Sequence, residues 1–223
     1  MSKTLLELKS ISKSYQDGAA KRLILDAVSL SVKAGEFAAI VGPSGSGKST
    51  LLSVAGLLLS PDCGNILIAG RDVTAASKKE HTGIRRRQIG FIFQNHDLLP
   101  FLKTEDQLRL VQDKAQRDRV DIDELLRELG IENCRGQFPA KMSGGEKQRT
   151  AIARAFVNDP DVILADEPTA SLDAERGRQV AEMIRNEVKK RGKAAVMVTH
   201  DTRILDLTDK VYRIEACGLV LER

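Results

Sequence analysis

The stretch Gly42-Pro43-Ser44-Gly45-Ser46-Gly47-Lys48-Ser49-Thr50 decides the fold of this chain. It fits the pattern G-x-x-x-x-G-K-[ST], in which glycines let successive backbone N–H groups converge on phosphate oxygens without Cβ clashes. The mostly apolar segment 36–41 before it predicts a buried parallel strand, and residues 51–57 after it have the composition of a helix. A strand, a glycine-rich loop and a helix in this order predict a P-loop that binds a nucleoside triphosphate.

Two side chains of the P-loop have expected roles of their own. Lys48 can reach the β- and γ-phosphates, and the Ser49 hydroxyl can ligate Mg²⁺. The helix that follows adds a positive dipole end, which favours a bound anion. The sequence therefore predicts a site for a nucleotide together with Mg²⁺.

Composition indicates a globular chain of one domain. Its 223 residues are 42% hydrophobic and 30% charged, which is ordinary for such a protein. The longest strongly apolar run, residues 51–59, is far shorter than the ~20 residues of a membrane span, and no basic-plus-apolar leader opens the chain. The three cysteines are widely spaced, without a C-x-x-C pattern, so reduced thiols in a cytosol are expected.

The basic clusters Arg85-Arg86-Arg87 and Lys189-Lys190-Arg191 raise the question of nucleic-acid binding. The net charge is only +4, aromatic content is 4%, and no base-stacking pattern accompanies the clusters. Solvated helix faces are the favoured interpretation, and no nucleic-acid partner is expected.

The hydrophobic pattern predicts strands that alternate with helices. Strands are expected at residues 5–11, 28–32, 64–68, 89–93, 162–165 and 194–198, with a hairpin over 210–221; helices are expected at 75–88, 120–129, 143–157 and 174–190. This alternation favours a parallel, three-layer α/β sheet. Residues 95–138 are strongly charged with a helical pattern, which predicts a helical subdomain (about 95–142) inserted into a core of about 1–94 and 143–223, all within one domain, 1–223.

The run Ser143-Gly144-Gly145-Glu146 opens a helix as a capping box, with Ser at the N-cap and Glu three residues later. An ordinary helix start would not need two glycines, because each costs ~1 kcal/mol of helix stability relative to alanine. The glycines make sense if a phosphate must approach the backbone at this positive helix end. Continued by Lys147-Gln148-Arg149, the run resembles the signature of ATP-binding-cassette (ABC) ATPases, which implies a P-loop NTPase fold.

The resemblance implies roles for residues that follow other predicted strands. Asp166, at the end of an apolar strand, is similar to the Walker B carboxylate that holds Mg²⁺, and Glu167 is similar to the catalytic glutamate that activates water. Gln94 is similar to the glutamine that senses Mg²⁺ and the γ-phosphate, and His200 to the switch histidine.

Two further stretches extend the resemblance to essentially the whole chain. Ala170-Ser171-Leu172-Asp173 is similar to the D-loop, whose Asp173 belongs to the nucleotide-binding set. Tyr15 is placed like the aromatic residue that stacks on adenine, which implies ATP as the nucleotide; a core or surface role for this tyrosine stays open.

The family also implies partners. Its members act as head-to-tail dimers, in which the signature helix of one copy caps ATP on the P-loop of the other. A cassette without a membrane span needs a separate integral membrane permease, which places the chain at the cytoplasmic face of a bacterial inner membrane. Residues 95–102 are unusually apolar for a loop, and this predicts a groove for a partner helix near them.

Within the family the chain is similar to the macrolide-exporter and lipoprotein-release group. Glu105-Asp106-Gln107-Leu108 and Pro168-Thr169-Ala170-Ser171-Leu172-Asp173 depart from the commonest pattern of that group and resemble the ATPase subunit of bacterial haem-efflux transporters. Haem efflux is therefore the expected function. Export of antimicrobial peptides, macrolides or lipoproteins stays open, as do a non-transporting signalling role and a soluble ABC protein acting on nucleic acid or ribosomes.

Overall fold

The computed structural model describes residues 3–18, 20–114, 119–170 and 172–223. The strands are β1 (Thr4–Asp17), β2 (Ala20–Lys33), β3 (Phe37–Val41), β4 (Cys63–Ile68), β5 (Arg71–Asp72), β6 (Ile89–Phe93), β7 (Val162–Asp166), β8 (Ala194–Val198), β9 (Lys210–Glu215) and β10 (Gly218–Leu221). The helices are α1 (Lys48–Ala55), α2 (Lys78–Gln88), α3 (Thr104–Val111), α4 (Ile122–Glu128), α5 (Gly144–Phe156) and α6 (Ala174–Arg191). In the described part of the chain, 3₁₀ helices cover Glu132–Cys134, Pro139–Lys141 and Thr202–Leu207.

Six strands form a mostly parallel sheet in the order β10-β9-β3-β8-β7-β6, with only β10 antiparallel to its neighbour. The register places Phe93 opposite Asp166, and Asp166 opposite Val198. The carboxyl ends of β6, β7 and β8 therefore meet at one edge, and β3 ends there too because Ile40 pairs with Val198. The loops after such strand ends are where α/β sheets bind their ligands.

This sheet is buried on both faces. Along β7, Val162 and Leu164 belong to one core, whereas Ile163 and Ala165 belong to the other. The first core also contains α1 and the amino-terminal strands, and the second contains α3, α4, α5 and α6. Burial on both faces explains why β3, β7 and β8 read as continuous apolar runs rather than alternating ones.

The amino-terminal strands correct the expectation of one parallel sheet. β1, β2, β4 and β5 form a separate antiparallel sheet in the order β2-β1-β4-β5. The reason is the connection: β1 and β2 are joined directly around Gly18 (φ 60°), and so short a turn permits only antiparallel pairing. Leu6 and Leu8 of β1 are buried in the first core, so this sheet covers one face of the parallel sheet.

The region between β6 and α5 is less helical than predicted. Residues 95–103 form no helix, and the backbone is left-handed at His96 (φ 61°) and Asp97 (φ 48°), which interrupts helical geometry. Helices α3 and α4 each span two turns, and the two shorter 3₁₀ helices follow them. Gly130 follows α4 with φ 64°, as expected of a residue that ends a helix. The assignment of residues 95–142 to a separate subdomain stays a prediction.

Most other predicted elements are confirmed with shifted bounds. The predicted helix at 75–88 begins only at Lys78, because Ser77 and Glu80 form a capping box there. The carboxyl-terminal hairpin turns at Ala216 and Cys217. All three cysteines are unpaired. None of the helices in the described part of the chain has the length and apolar character needed to cross a bilayer.

Candidate functional site

The P-loop lies between the buried strand β3 and helix α1, as predicted. Helix α1 begins at Lys48 rather than near residue 51, with Gly47 (φ 102°) as its N-cap. Gly45 also has a positive φ of 75°, which few other residues adopt. These glycines turn the backbone around the amino end of α1, the geometry that directs N–H groups toward an anion.

Gly42 and Gly47 are also required by packing. A Cβ on Gly42 would lie 2.7 Å from the Ile214 carbonyl oxygen, and one on Gly47 would lie 2.9 Å from Ile24 Cγ2. Both ends of the loop are therefore pressed against neighbouring strands. Ile24 belongs to β2, so the antiparallel sheet forms one wall of the P-loop site.

Lys48 is held inside the loop that precedes it. Its Nζ donates to the carbonyl oxygens of Gly42 (2.9 Å) and Pro43 (2.8 Å), and its exposed fraction is 9%. Lys48 forms no ion pair with any residue that the structure describes. The Ser46 hydroxyl is buried without a hydrogen-bond partner in the described part of the chain. An ammonium without an ion pair and a hydroxyl without a hydrogen-bond partner in one glycine loop fit a phosphate group.

Ser49 and Asp166 bring two oxygen donors together from different elements. Ser49 Oγ on α1 donates to Asp166 Oδ1 at the end of β7, over 3.4 Å. Burial raises the pKa of Asp166, although the Ser49 hydrogen bond and the charge of Lys48 act to lower it. A half-buried carboxylate beside a hydroxyl is a donor set that suits a hard cation such as Mg²⁺.

Glu167 follows Asp166 and turns toward β8. Its backbone is left-handed (φ 47°), an uncommon conformation for a non-glycine residue that concentrates at functional sites. The turn is fixed because Glu167 N donates to the Val198 carbonyl at 3.0 Å. The carboxylate oxygen Oε2 lies 2.8 Å from His200 Nδ1 and accepts from His200 N at 3.3 Å. A hydrogen-bonded contact thus joins two predicted site residues that lie 33 positions apart in the sequence.

A cavity of about 360 Å³ lies between the P-loop and Glu167. It is lined by Arg22, Ile24, Ser44, Gly45, Gly47, Lys48, Ser49, Thr50 and Glu167. The structure therefore brings the P-loop and the predicted catalytic glutamate into one space. Arg22 and Ile24 are residues that sequence reasoning missed.

Gln94 lies at the same sheet edge, directly after β6, with an exposed side chain. The loop that follows it is held by a residue absent from the sequence prediction. Arg154 on α5 donates to the His96 carbonyl at 2.7 Å and also to the Asp97 carbonyl. Burial lowers the pKa of the His96 imidazole, whose Nε2 has no partner in the described part of the chain. Arg154 thereby couples the loop after Gln94 to the helix that carries the signature.

The signature residues form the predicted capping box at the start of α5. The Ser143 side chain accepts from Glu146 N (3.3 Å), and Glu146 Oε2 accepts from Ser143 N (2.8 Å). The Ser143 N–H holds the pKa of Glu146 below its usual range, helped by the Cys134 thiol, 3.1 Å from Oε1. A Cβ on Gly144 or Gly145 would meet nothing within 4 Å. None of these residues lines the P-loop cavity.

Two predicted nucleotide-binding residues lie apart from the cavity as well. Tyr15 is 43% exposed on β1, where its cross-strand partner is Arg22. Asp173 caps helix α6 by accepting from Arg176 N at 2.9 Å. Ser171, within the predicted D-loop, lies outside the described residues.

A P-loop on a parallel sheet, with two acidic residues at the end of the next strand but one, defines a P-loop NTPase. The capped glycine pair that opens α5 narrows the class to the ATPase cassettes of ABC proteins. The chain belongs to this family, because its residues 25–170 match the family model described as ABC transporter.

Similar proteins agree with this assignment. The chain is 42% identical over 221 residues to a protein of Staphylococcus haemolyticus named "Putative hemin import ATP-binding protein HrtA", with 94% of this chain and 96% of the relative covered. A protein of the same name from Staphylococcus aureus strain N315 is 42% identical over 215 residues, with the same shares covered.

Solved structures show the same fold. The dimeric structure of MJ0796, a bacterial ABC transporter cassette, superposes with a TM-score of 0.84 at 34% identity, covering 98% of this chain and 97% of that one. A dimeric post-hydrolysis state of the same cassette, bound to ADP and Pi, gives a TM-score of 0.83 at 34% identity over the same shares. The chain is thus an ATP-binding, ATP-hydrolysing subunit of an ABC transporter.

Proposed function

We propose that the chain hydrolyses ATP between two copies of itself and thereby drives a separate membrane permease. One observation carries the proposal. The P-loop cavity contains Lys48, Ser49 and Glu167, but none of the signature residues 143–146 lines it. A second chain is then needed to bring a signature helix to each nucleotide.

Within one chain, each group has a distinct task. Lys48 neutralises charge on the β- and γ-phosphates, while P-loop N–H groups hold them. Ser49 and Asp166 would hold Mg²⁺, with Gln94 at the same sheet edge, and the ion would supply charge neutralisation for phosphoryl transfer. Glu167 orients the attacking water and accepts its proton. His200 fixes the Glu167 carboxylate through the 2.8 Å contact at Nδ1.

The second copy completes the site with Ser143, Gly144, Gly145 and Glu146 of its signature and with Asp173 near the dimer contact. Dimeric cassettes 34% identical to this chain support such an assembly. The energetics suffice: shifting an open–closed equilibrium from 1:99 to 99:1 needs ~5.5 kcal/mol. Two sites, each with charge-assisted hydrogen bonds of ~1.5–3 kcal/mol, supply that amount.

Mixed dimers test this arrangement. Lys48→Ala removes ATP binding at the chain's own P-loop, whereas Ser143→Arg damages only the site on the partner's P-loop. Each variant alone should be inactive, but mixing the two should restore partial ATPase, because half of the sites in each mixed dimer are intact. An ATPase rate of the mixture equal to the sum of the separate variants would overturn the proposal.

This chain would receive the permease in a groove beside the loop after Gln94. A cavity of about 650 Å³ is lined by both apolar and cationic side chains. The apolar ones include Leu58, Phe91, Phe93, Leu110 and Val111, and the cationic ones are Arg85, Arg86 and Arg154. This composition suits a short amphipathic helix. Of the predicted segment 95–102, only Asp97 lines the groove, whereas Phe101 is 71% exposed. Docking here would hold the chain at the cytoplasmic face of the membrane.

For the cargo we propose haem, moved outward. Relatives that are 42% identical over 94% of this chain carry hemin in their name, although that name specifies import. Export rests on the resemblance of residues 101–108 and 170–173 to haem-efflux ATPases. Haem would act on hydrolysis only through the permease, because a ligand changes a cycle only if it binds the states of that cycle differently.

Deleting the gene distinguishes haem export from haem import. Export predicts a strain that is sensitive to added haem, and import predicts a strain that cannot use haem as its iron source. In the complex reconstituted with its permease, haem should alter the ATPase rate, while the chain alone should ignore it. A deletion strain that tolerates haem but becomes sensitive to a macrolide or peptide antibiotic would refute the cargo and leave the exporter function standing.

A further inference from the structure

We propose that Arg22 is a nucleotide-binding residue of this ATPase, contacting the α-phosphate of bound ATP or ADP. This inference rests on the proposed P-loop site and adds a contact from the antiparallel sheet. Arg22 lines the same cavity as Lys48 and Glu167. These are the three charged residues among the described lining: two cations and one carboxylate.

The backbone explains how Arg22 reaches the cavity. Strand β2 pairs with β1 through Lys13–Leu25 and then Ser14–Leu23, so Ile24 has no partner opposite it. This bulge changes which way the strand faces. Leu25 stays buried in the core, while Ile24 packs against Gly47, where a Cβ would come within 2.9 Å of Ile24 Cγ2. Arg22, two residues nearer the hairpin turn, enters the cavity beside this contact.

The side chain of Arg22 is free to bind a ligand. It forms no ion pair or hydrogen bond with any residue that the structure describes, unlike most arginines of the chain. For comparison, Arg85, Arg154 and Arg178 each hold a carbonyl or carboxylate oxygen. An unpaired guanidinium in a cavity with a phosphate-binding loop matches phosphate in charge and in hydrogen-bond geometry.

The residues around Arg22 indicate which part of the bound nucleotide it contacts. Lys48 and Ser49 hold the β- and γ-phosphate end, and Glu167 occupies the side where water attacks. Tyr15, the predicted adenine-stacking residue, is the cross-strand partner of Arg22. Arg22 therefore lies between the base end and the terminal phosphates, which leaves the α-phosphate as its target. ADP and ATP share this group.

Equilibrium titration of the purified full chain with fluorescent ADP and ATP, each with Mg²⁺, tests the contact. Arg22→Ala should weaken both nucleotides by the same factor, about tenfold at low salt and less at high salt. The nucleotide affinity of Arg22→Lys should lie between those of the wild type and Arg22→Ala, because lysine keeps the charge but lacks the planar guanidinium. In steady-state ATPase, KM should rise with kcat unchanged, as for uniform binding.

Lys21→Ala is the matched control, since Lys21 is the exposed neighbour that pairs with Asp62 and does not line the cavity. Equal affinities for Arg22→Ala and Lys21→Ala would overturn the inference, and so would a loss confined to ATP, which would place the contact on the γ-phosphate. Lys48→Ala distinguishes a failure of the P-loop site from a failure of the Arg22 contact. If it binds ATP normally, the P-loop site itself is wrong; if it does not, the failure belongs to Arg22 alone.

Discussion

Replacing Glu167 with glutamine should separate ATP binding from hydrolysis. The amide keeps the volume of the carboxylate and one oxygen that can still accept from His200 N, now 3.3 Å from Oε2. The free energy of unfolding should therefore change by no more than about 1 kcal/mol, the usual net value of one hydrogen bond. Loss of the base should slow hydrolysis by about 10²–10⁴-fold, which corresponds to roughly 3–5 kcal/mol of barrier.

Three measurements on the same Glu167→Gln preparation check this reasoning: thermal unfolding, ATPase rate, and size-exclusion chromatography with MgATP. The variant should unfold like the wild type, hydrolyse far more slowly, and elute as a dimer because the bound ATP persists. Glu182→Gln serves as the charge-loss control, since Glu182 forms an exposed ion pair with Arg178 on α6. A Glu167→Gln chain that hydrolyses ATP within tenfold of the Glu182→Gln chain would refute the assigned role.

Two further predictions concern stability. Gly90→Ala should lower the free energy of unfolding by about 1–3 kcal/mol, because its Cβ would lie 2.2 Å from the Ala155 carbonyl oxygen; Gly136→Ala, with nothing within 4 Å, is the control in urea titration. Hydrogen bonds from Arg135 and Arg109 lower the pKa of Glu105 from 4.5 to about 2. The ionised Glu105 carboxylate thus stabilises the fold fully above pH 4.5, and this stabilisation is lost as the pH falls toward 2. The difference in unfolding free energy between wild type and Glu105→Gln should therefore shrink over that range and vanish below it.

Local sequence patterns sufficed for the parts of the site that follow single strands. The P-loop, Asp166 and His200 each follow an apolar run, and parallel pairing brings such ends to one edge without further information. The capping box at Ser143 is equally local, since its two partners are three residues apart. These were predictable because the interactions that create them lie within a few residues of the chain.

What the sequence could not supply depends on pairing between distant segments. Arg22 reaches the cavity only because a register shift in the β1–β2 hairpin turns Ile24 toward Gly47, and no short pattern encodes that shift. Arg154 holds the carbonyl oxygens of His96 and Asp97, 58 and 57 residues away. The antiparallel sheet was missed because alternating strand and helix patterns do not reveal which strands pair. The roles of the site residues remain predictions that the variants above test.

The glycine pair of the signature allows a prediction in which stability and activity change in opposite directions. Gly145 lies in the first turn of α5, its φ is not positive, and a Cβ there would meet nothing within 4 Å. Gly145→Ala should therefore raise the free energy of unfolding, by up to about 1 kcal/mol, because alanine favours the helix. If this open backbone is where the partner's nucleotide docks, the added methyl group should still reduce ATPase activity. Gly83→Ala is the control: it lies within α2, its nearest foreign atom is the flexible Arg87 side chain at 3.9 Å, and it should stabilise the chain without slowing hydrolysis. Equal ATPase rates for both alanine variants would show that the partner's nucleotide does not bind beside Gly145. That result would refute the proposal that the signature helix of one copy completes the ATP site of the other.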